Sequence, residues 1–221
     1  CLNCGLVRPL PGWCQPEPIT DCPMTVEPKA ISTPTPRPDL TGVSGLEALI
    51  RSAGEAAGPR PVDKWNPPYC GDIGMSIRKD GIWLYQGSPI GRPALVKLFA
   101  SILRKDDDGK HYLVTPVEKI DVAVEDAPLL AVDMAVTGEG EAQTLTFRTN
   151  TDDIVSVGQA NPMRFVRQDP AGGMKPYVRV RGRIEALVTR AVYADLVMHA
   201  CSGERLGSLG VWSGGLFWEM G

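Results

Sequence analysis

Histidine is scarce in this chain: only His111 and His199 occur among 221 residues, and neither belongs to an HExxH pair or a similar array of metal ligands. Three common signatures are also missing from the sequence, namely the GxxxxGKS/T phosphate loop, a GxGxxG that opens a helix after a strand, and the GxSxG nucleophile elbow. Histidine-based acid–base catalysis and metal catalysis are therefore not expected, and the sequence predicts no cofactor and no metal site.

Long apolar runs and an excess of positive charge are missing as well. No stretch approaches the roughly 20 apolar residues that cross a bilayer. A net charge of −3 and a pI near 5.5 disfavour broad binding to nucleic acid. With 43% hydrophobic residues, the chain can bury a core in one large domain or two small ones. We expect a cytoplasmic protein without membrane or nucleic-acid partners.

The segment 1–43 differs from the rest because prolines recur along it. Proline lacks a backbone donor and favours extended conformations, so the sequence predicts a disordered tail here. Its four cysteines include one CxxC but no second close pair, which makes zinc the weaker interpretation. Because Cys1 is not an initiator residue and Met24 is the first methionine, residues 1–23 are expected to be a mis-assigned start or a fragment edge.

An N-terminal α+β domain is predicted over residues 44–114. It begins with a short helix that Ser44 can cap, in SGLEALIRSAGEAAG. The apolar residues of DIGMSI then alternate, Lys79–Gly81 supplies a tight turn, and IWLY returns as the second strand of a hairpin. In GRPALVKLFASILRK, apolar residues recur at helical spacing behind Pro93, so a helix is expected to cover the hairpin.

A C-terminal domain is predicted over residues 115–221. The segments KIDVAV, LLAVDMAV and LTF alternate apolar with polar or small residues, which predicts neighbouring strands of an antiparallel sheet that continues through IVSV and YVRVR. A last helix is predicted over 183–198, in RIEALVTRAVYADLVM. The expected fold class is thus α+β, with two small domains whose antiparallel sheets are each packed by a helix. Strands followed by one closing helix resemble the pleckstrin-homology plan.

Five segments, in order and spanning roughly residues 64–219, resemble a bacterial domain-of-unknown-function family. They are CGDIGMSIRKDGIWLYQGSPIGRPALVKLFASILR, YLVTPVEKIDVAVEDAPLLAVDM, LTFRTNTDD, KPYVRVRGRIEALVTRAVYADLV and LGVWSGG. The resemblance implies two domains, a duplicated core motif and a pleckstrin-homology-like C-terminal half. It also implies a nucleotide-like ligand at the domain interface and a role in signal transduction. In ANPMRF the family commonly has a histidine before the proline, where this chain has Asn161.

Basic residues give the best indication of a binding site. In YVRVR, strand alternation turns Val178 and Val180 inward and sets Arg179 and Arg181 on the opposite face, where two guanidinium groups can hold a phosphate or carboxylate. A solvated strand face is the competing interpretation. This arginine pair lies in a basic segment that comprises Arg164, Arg167, Lys175, Arg179, Arg181, Arg183 and Arg190.

Three further residues are candidates for the same small anionic ligand. Arg92 and Lys97 belong to the predicted helix of the first domain and could approach the ligand from that side. Glu118 breaks the local alternation and is expected to face either a cleft or a surface ion pair. The function that follows is a non-enzymatic ligand-binding or signalling module with an unknown protein partner.

Cys70 carries the alternative, a cysteine-dependent redox sensor or enzyme. It follows two prolines and a tyrosine and precedes Gly71 and Asp72, and a neighbouring carboxylate does not activate a thiol as a nearby cation would. A compact structural cysteine is the simpler interpretation of Cys70, since free cysteine behaves mostly as a small hydrophobic residue.

Overall fold

The computed structural model describes residues 60–168, 173–203 and 207–220. Within these ranges the chain is mostly β-sheet with two α-helices, arranged as two curled six-stranded sheets in two domains, with a three-stranded sheet at the end. The predicted tail 1–43 and the predicted helix that starts at Ser44 lie outside the described residues. None of the described helices is long and apolar enough to cross a membrane.

The first six-stranded sheet is built from the hairpin region, one helix and the following strands. After a short 3-10 helix at Val62–Lys64, its elements are β1 (Tyr69–Ile77), β2 (Trp83–Tyr85), β3 (Ser88–Pro89), α1 (Pro93–Ser101), β4 (Leu103–Lys105), β5 (His111–Val114) and β6 (Lys119–Val124). The strand order is β3-β2-β1-β6-β5-β4. The central pair, β1 and β6, is parallel, and the other neighbours are antiparallel.

The second six-stranded sheet follows directly. Its strands are β7 (Leu129–Thr137), β8 (Thr144–Thr149), β9 (Ile154–Ser156), β10 (Met163–Arg167), β11 (Met174–Arg181) and β12 (Ile184–Val188), with a 3-10 turn at Gly140–Ala142. Helix α2 (Arg190–Met198) comes next. The three-stranded sheet then consists of β13 (Cys201–Ser202), β14 (Leu209–Ser213) and β15 (Leu216–Glu219).

The two six-stranded sheets have the same topology. The second has the order β10-β11-β12-β7-β8-β9, again with its first and sixth strands paired in parallel at the centre and antiparallel strands on both sides. Three strands run outward from the centre of each sheet, and three run back to it. This arrangement agrees with the duplicated core motif implied by the resemblance, whereas the prediction of purely antiparallel sheets was wrong at the two central pairs.

The predicted hairpin is confirmed. β1 and β2 pair in antiparallel register, with Ile77 opposite Trp83. The amide of Gly81 donates to the carbonyl of Arg78 at 2.9 Å, and Gly81 has a φ of +79°, a left-handed conformation that glycine adopts without strain. The local sequence therefore set both the turn and the register.

Helix α1 also begins where the sequence predicted, with Pro93 in the first turn, where its missing amide proton breaks no helical hydrogen bond. Its buried side includes Leu98 and Phe99. The Phe99 ring stacks on Trp83 with a centroid separation of 6.2 Å, so the helix covers the hairpin as expected.

Residues 184–188 correct the prediction of a long last helix. They form strand β12, and only residues 190–198 are helical. Ile184, Ala186 and Val188 are buried on one face of the strand, and Ala186 lies opposite Leu129 of β7 in the parallel pair at the centre of the sheet. Alternate burial within a sheet therefore outweighs the helical spacing of the apolar residues.

The strands predicted as neighbours in one sheet are divided between two. β6 pairs with β1 and β5, whereas β7 pairs with β8 and β12. The first sheet thus extends to Val124, beyond residue 114, where the sequence pattern placed the domain boundary. Alternation shows that a segment is a strand, but it does not specify the partner strand.

Candidate functional site

A polar cleft of about 80 Å³ lies where strands β4 and β5 of the first sheet meet β10, β11 and β12 of the second. The loop between β6 and β7, which links the two sheets, forms part of its wall. Its lining residues are Lys105, His111, Asp126, Ala127, Pro128, Arg164, Tyr177, Arg183 and Glu185. Charged and ring side chains from both halves of the chain therefore surround one small space.

The cleft walls come from equivalent strands of the two sheets. β4 and β5 are the fourth and fifth strands of the first sheet, and on them Lys105 lies directly opposite His111. β10 and β11 are the fourth and fifth strands of the second sheet, and on them Arg164 lies directly opposite Tyr177. Each wall thus offers one basic residue beside one ring that carries a polar atom.

Arg164 is firmly held in the second wall. Its Nε donates to Glu185 Oε1 at 2.8 Å and its Nη2 donates to Oε2 at 2.6 Å, while the guanidinium lies 4.4 Å from the centroid of the Tyr177 ring. The hydrogen bond from Arg164 lowers the pKa of the Glu185 carboxyl, and the hydrogen bond to Glu185 raises the pKa of Arg164. A paired, two-pronged contact of this kind fixes the guanidinium plane.

The negative charge of Asp126, another residue of the cleft lining, is compensated by two hydrogen-bond donors. Asp126 accepts hydrogen bonds from Lys175 Nζ at 2.5 Å and from the Tyr177 hydroxyl at 2.6 Å. Burial alone would raise the pKa of Asp126, but these two donors outweigh burial and lower it. Burial, together with the hydrogen bond to Asp126, raises the pKa of Tyr177. The phenol of Tyr177 is thus a neutral donor that is already in use.

His111 is the titratable ring of the first wall. Burial, and then the positive charge of Lys105, lower its pKa to about 4, although Glu185 opposes the shift. The imidazole is therefore neutral at neutral pH. An anion in the cleft would favour the protonated ring, because it would offset the repulsion from Lys105.

Two cations of the cleft remain weakly engaged. Lys105 has no ion-pair partner within the described ranges of the chain. Arg183 contacts the carboxylate of Asp107, and both side chains are largely in solvent, with exposed fractions of 56% and 89%. Neither cation is neutralised within a buried pair.

Arg179 and Arg181, the predicted anion pair, have different surroundings in this structure. The pairing of β11 with β12 is irregular between them. Arg181 Nη1 donates to Asp153 Oδ1 at 2.9 Å, and its Nη2 donates to the carbonyl of Ala100 at the end of α1. Arg179 is exposed and lies opposite Glu185. Arg181 thus joins the second sheet to the helix of the first.

The other candidates from the sequence lie away from the cleft lining. Lys97 of α1 contacts Asp152 of the β8–β9 turn, another link between the two halves. Arg92 precedes α1 and makes no capping hydrogen bond with its side chain. The backbone amide of Glu118 donates to Thr115 Oγ1 at 3.0 Å in the β5–β6 turn.

Cys70, the candidate nucleophile, lies on β1 and is exposed. Its thiol donates to the carbonyl of Pro68 at 3.6 Å. It does not line the cleft. In the part of the chain that the structure describes, no three His, Cys, Asp or Glu side chains are grouped so that they could hold a metal ion.

The sequence indicated one wall of the cleft and missed the other. Arg164 and Arg183 belong to the basic segment of the sequence analysis, in which the predicted anion pair is Arg179 and Arg181. Lys105 is the first residue of the polar segment KDDDG, and His111 follows that segment by two residues; the segment has the composition of an ordinary solvated turn. Their significance depends on a contact between distant strands, for which no local signal exists.

Comparisons with known proteins agree on one family. The model of the domain of unknown function DUF1285, N-terminal domain, matches residues 60–127, and that of the DUF1285 C-terminal domain matches residues 128–220. No match was found among curated proteins.

Two solved structures are similar to this chain. The crystal structure of a DUF1285 family protein from Silicibacter pomeroyi is 45% identical, with a TM-score of 0.72, and the match covers 77% of this chain and 93% of that one. A DUF1285 family protein from Shewanella baltica is 29% identical, with a TM-score of 0.45, over 57% of this chain and 91% of that one. With both domain models matched in order, the chain belongs to the DUF1285 family.

Proposed function

We propose that the chain is a non-enzymatic binding or signalling module that holds a small, nucleotide-like anionic ligand in the cleft between its two sheets. The observation that carries the proposal is the set of three basic residues, Lys105, Arg164 and Arg183, that converge on one cleft from both halves of the chain. Oxyanions are bound in proteins mainly by such cations, through charge-assisted hydrogen bonds.

The charges within the cleft favour an anion. Glu185 neutralises Arg164, and Lys175 neutralises Asp126. Lys105 and Arg183 remain to face the cleft, and the neutral imidazole of His111 adds a polar atom beside them. An incoming phosphate or carboxylate would therefore meet Lys105, which no described residue holds in an ion pair, and Arg183, whose exposed ion pair with Asp107 is weak.

The size of the cleft limits which part of the ligand it encloses. A volume of about 80 Å³ is small beside the roughly 300–1,000 Å³ that is typical of sites that bury a whole small molecule. It suits a few water molecules or a single phosphate-sized group. We therefore propose that the anionic group enters the cleft and that the rest of a nucleotide-like ligand lies at its mouth.

Calorimetry with wild-type protein and matched lysine variants tests the proposal. We expect sulfate, inorganic phosphate or adenosine monophosphate to bind the wild type. Lys105→Ala should weaken binding about tenfold, since a hydrogen bond to a charged group contributes about 1.5–3 kcal/mol. Lys110→Ala is the control, because it removes the same charge from the adjoining β4–β5 turn, at an exposed position outside the cleft lining.

Two results would overturn the proposal. One is the absence of binding for all three probes, and the other is an equal loss of affinity in Lys105→Ala and Lys110→Ala. The ligand-binding roles of Arg179, Arg181, Arg92, Lys97 and Glu118 stay predictions, and alanine variants of these residues belong in the same titration. Loss of a redox response in Cys70→Ser, with folding intact, would instead favour the cysteine-dependent alternative.

Three finer expectations accompany the proposal. The pleckstrin-homology-like plan of the second half is supported only by a curled sheet followed by α2. A role in signal transduction and a cytoplasmic location rest on the sequence and on the family resemblance.

A further inference from the structure

One ion pair of the cleft joins two turns that belong to different sheets. Asp107 lies in the turn between β4 and β5, and Arg183 lies in the tight turn between β11 and β12, next to Gly182 with a φ of +49°. Their side chains are in contact. Arg183 also lines the cleft, whereas Asp107 does not. The carboxylate of Asp107 thus holds one of the cleft's cations from outside.

The ion pair of Arg183 and Asp107 differs from the ion pair of Arg164 and Glu185, which also lines the cleft. Arg164 and Glu185 both lie on strands and share two hydrogen bonds, and their side chains are 50% and 24% exposed. The pair of Arg183 and Asp107 lies on turns, with 56% and 89% of the side chains in solvent. Exposed pairs contribute little, because water screens the attraction and flexible side chains lose entropy when they pair. Arg183, with one exposed contact, can therefore exchange its partner at a smaller cost than Arg164, which makes two hydrogen bonds to a less exposed carboxylate.

We infer that Asp107 is a built-in competitor of the ligand: its carboxylate occupies Arg183 in the empty cleft, and a compact oxyanion group of phosphate or sulfate size replaces it on binding. This inference rests on the proposed function. A planar guanidinium accepts either partner, since carboxylate and phosphate oxygens both match its paired donors. Arg183 is paired both before and after the exchange. The contact with Arg183 therefore contributes less to the binding free energy of the anion than a contact with an unpaired arginine would.

Removing the competing charge should strengthen binding. Asp107→Asn keeps the size of the side chain but weakens its hold on Arg183. We expect the affinity for sulfate at low ionic strength to rise about three- to fivefold, the range that a surface ion pair allows. Asp108→Asn is the matched control: it makes the same charge change one residue later, where the carboxylate accepts hydrogen bonds from Tyr112 and from the amide of Lys110 instead of holding a cleft cation.

The probes also distinguish the sources of a phosphate group. Sulfate and inorganic phosphate report the anion alone, and adenosine monophosphate reports the same group carried on a nucleoside. A gain in Asp107→Asn for all three probes assigns the exchange to the anionic group. Absence of the gain for inorganic probes would overturn the inference as stated, because the compact oxyanion would not be what replaces Asp107.

The variant Arg183→Ala, used as a second background for the same substitution, separates partner exchange from a general change of surface charge. In Arg183→Ala, the additional change Asp107→Asn should give no gain, because the contested cation is gone. The inference is overturned, with the cleft function intact, if wild type binds and Asp107→Asn matches Asp108→Asn, or if the gain persists in Arg183→Ala. Absence of binding of all three probes to wild type would overturn the proposed function and, with it, this inference.

Discussion

The two six-stranded sheets share one topology but differ in how they present the cleft. In the first sheet a helix, α1, connects the third strand to the fourth, whereas in the second sheet the helix follows the sixth strand. The hairpins of the fourth and fifth strands occupy equivalent places in the repeat and meet at the cleft. Two sheets of the same topology thus bring together two walls that carry different side chains.

The chemistry of the two walls is unequal. In the second wall Arg164 is fixed by Glu185, and Tyr177 is fixed by Asp126. In the first wall Lys105 is not held in an ion pair by any described residue, and the lowered pKa of His111 keeps its ring neutral at neutral pH. We infer that the second wall sets the geometry of the site, while the first can respond to a ligand or to pH.

The largest expected effect concerns the contact between the first hairpin and the second sheet. A Cβ atom on Gly81 would lie 2.9 Å from Leu130 Cδ1 and 3.0 Å from Asn150 Nδ2, and the φ of +79° disfavours any side chain. We expect Gly81→Val to lower the free energy of unfolding by about 3 kcal/mol, from backbone strain and crowding together. Denaturant unfolding measures this loss.

Gly109 provides the matched control for this substitution. Its φ is +81°, and no other atom lies within 4 Å of the position that a Cβ would take there, because the β4–β5 turn faces open space. Gly109→Val should therefore lower the free energy of unfolding by about 1–2 kcal/mol, from backbone strain alone. Equal losses in the two variants would mean that the contact of Gly81 with the second sheet contributes nothing.

The next effect concerns the arginine that links the sheets. Arg181 contacts Asp153 and the carbonyl of Ala100, and Thr151 Oγ1 holds the same Asp153 carboxylate at 2.8 Å. Because this network is only partly exposed, Arg181→Ala should cost about 1–2 kcal/mol of unfolding free energy. Arg179→Ala, an exposed neighbour on the same strand, should stay within about 0.5 kcal/mol of wild type. A larger loss for Arg179→Ala would contradict the assignment of Arg181 as the link.

Much of the first sheet could be predicted because its signals are local. The Lys79–Gly81 turn, the alternation around it and Pro93 at the helix start each specify a structure within a few residues. The last predicted helix failed for the opposite reason. Apolar residues in 184–188 fit both periods, and pairing with β7, far back in the chain, decides for the strand.

The candidate site shows the same limit. Composition pointed to the basic segment that contains Arg164 and Arg183, but the cleft exists only where β4 and β5 meet β10, β11 and β12. The sequence predicts an anion site at Arg179 and Arg181, the most regular local pattern, and that assignment stays a prediction. Strand alternation could not show that Asp153 and the end of α1 already engage Arg181.

The smallest effect concerns His111 and the first wall. Its pKa in the folded chain is about 4, below the ordinary 6.5, so between these values the unfolded chain binds a proton that the folded chain does not. Stability is therefore fully present above pH 6.5 and falls as the pH drops toward 4. After allowance for the partial exposure of the ring, the loss should be on the order of 1 kcal/mol. Denaturant unfolding at several pH values between about 7.5 and 4.5 measures it.

Substitution of each histidine in turn assigns this pH dependence. His111→Asn should flatten the curve between about pH 6.5 and 4.5, while His199→Asn, at the end of α2, should retain it, because His111 is still present. Asp126 and Glu185 also have lowered pKa values, so protonation of these carboxylates reduces the free energy of unfolding in acid. This loss occurs at and below the ordinary pKa of a carboxyl group, so it can be separated from the loss that His111 causes at higher pH. A curve that is unchanged in His111→Asn would show that the first wall does not respond to pH, and the two walls would then differ only in their ion pairs.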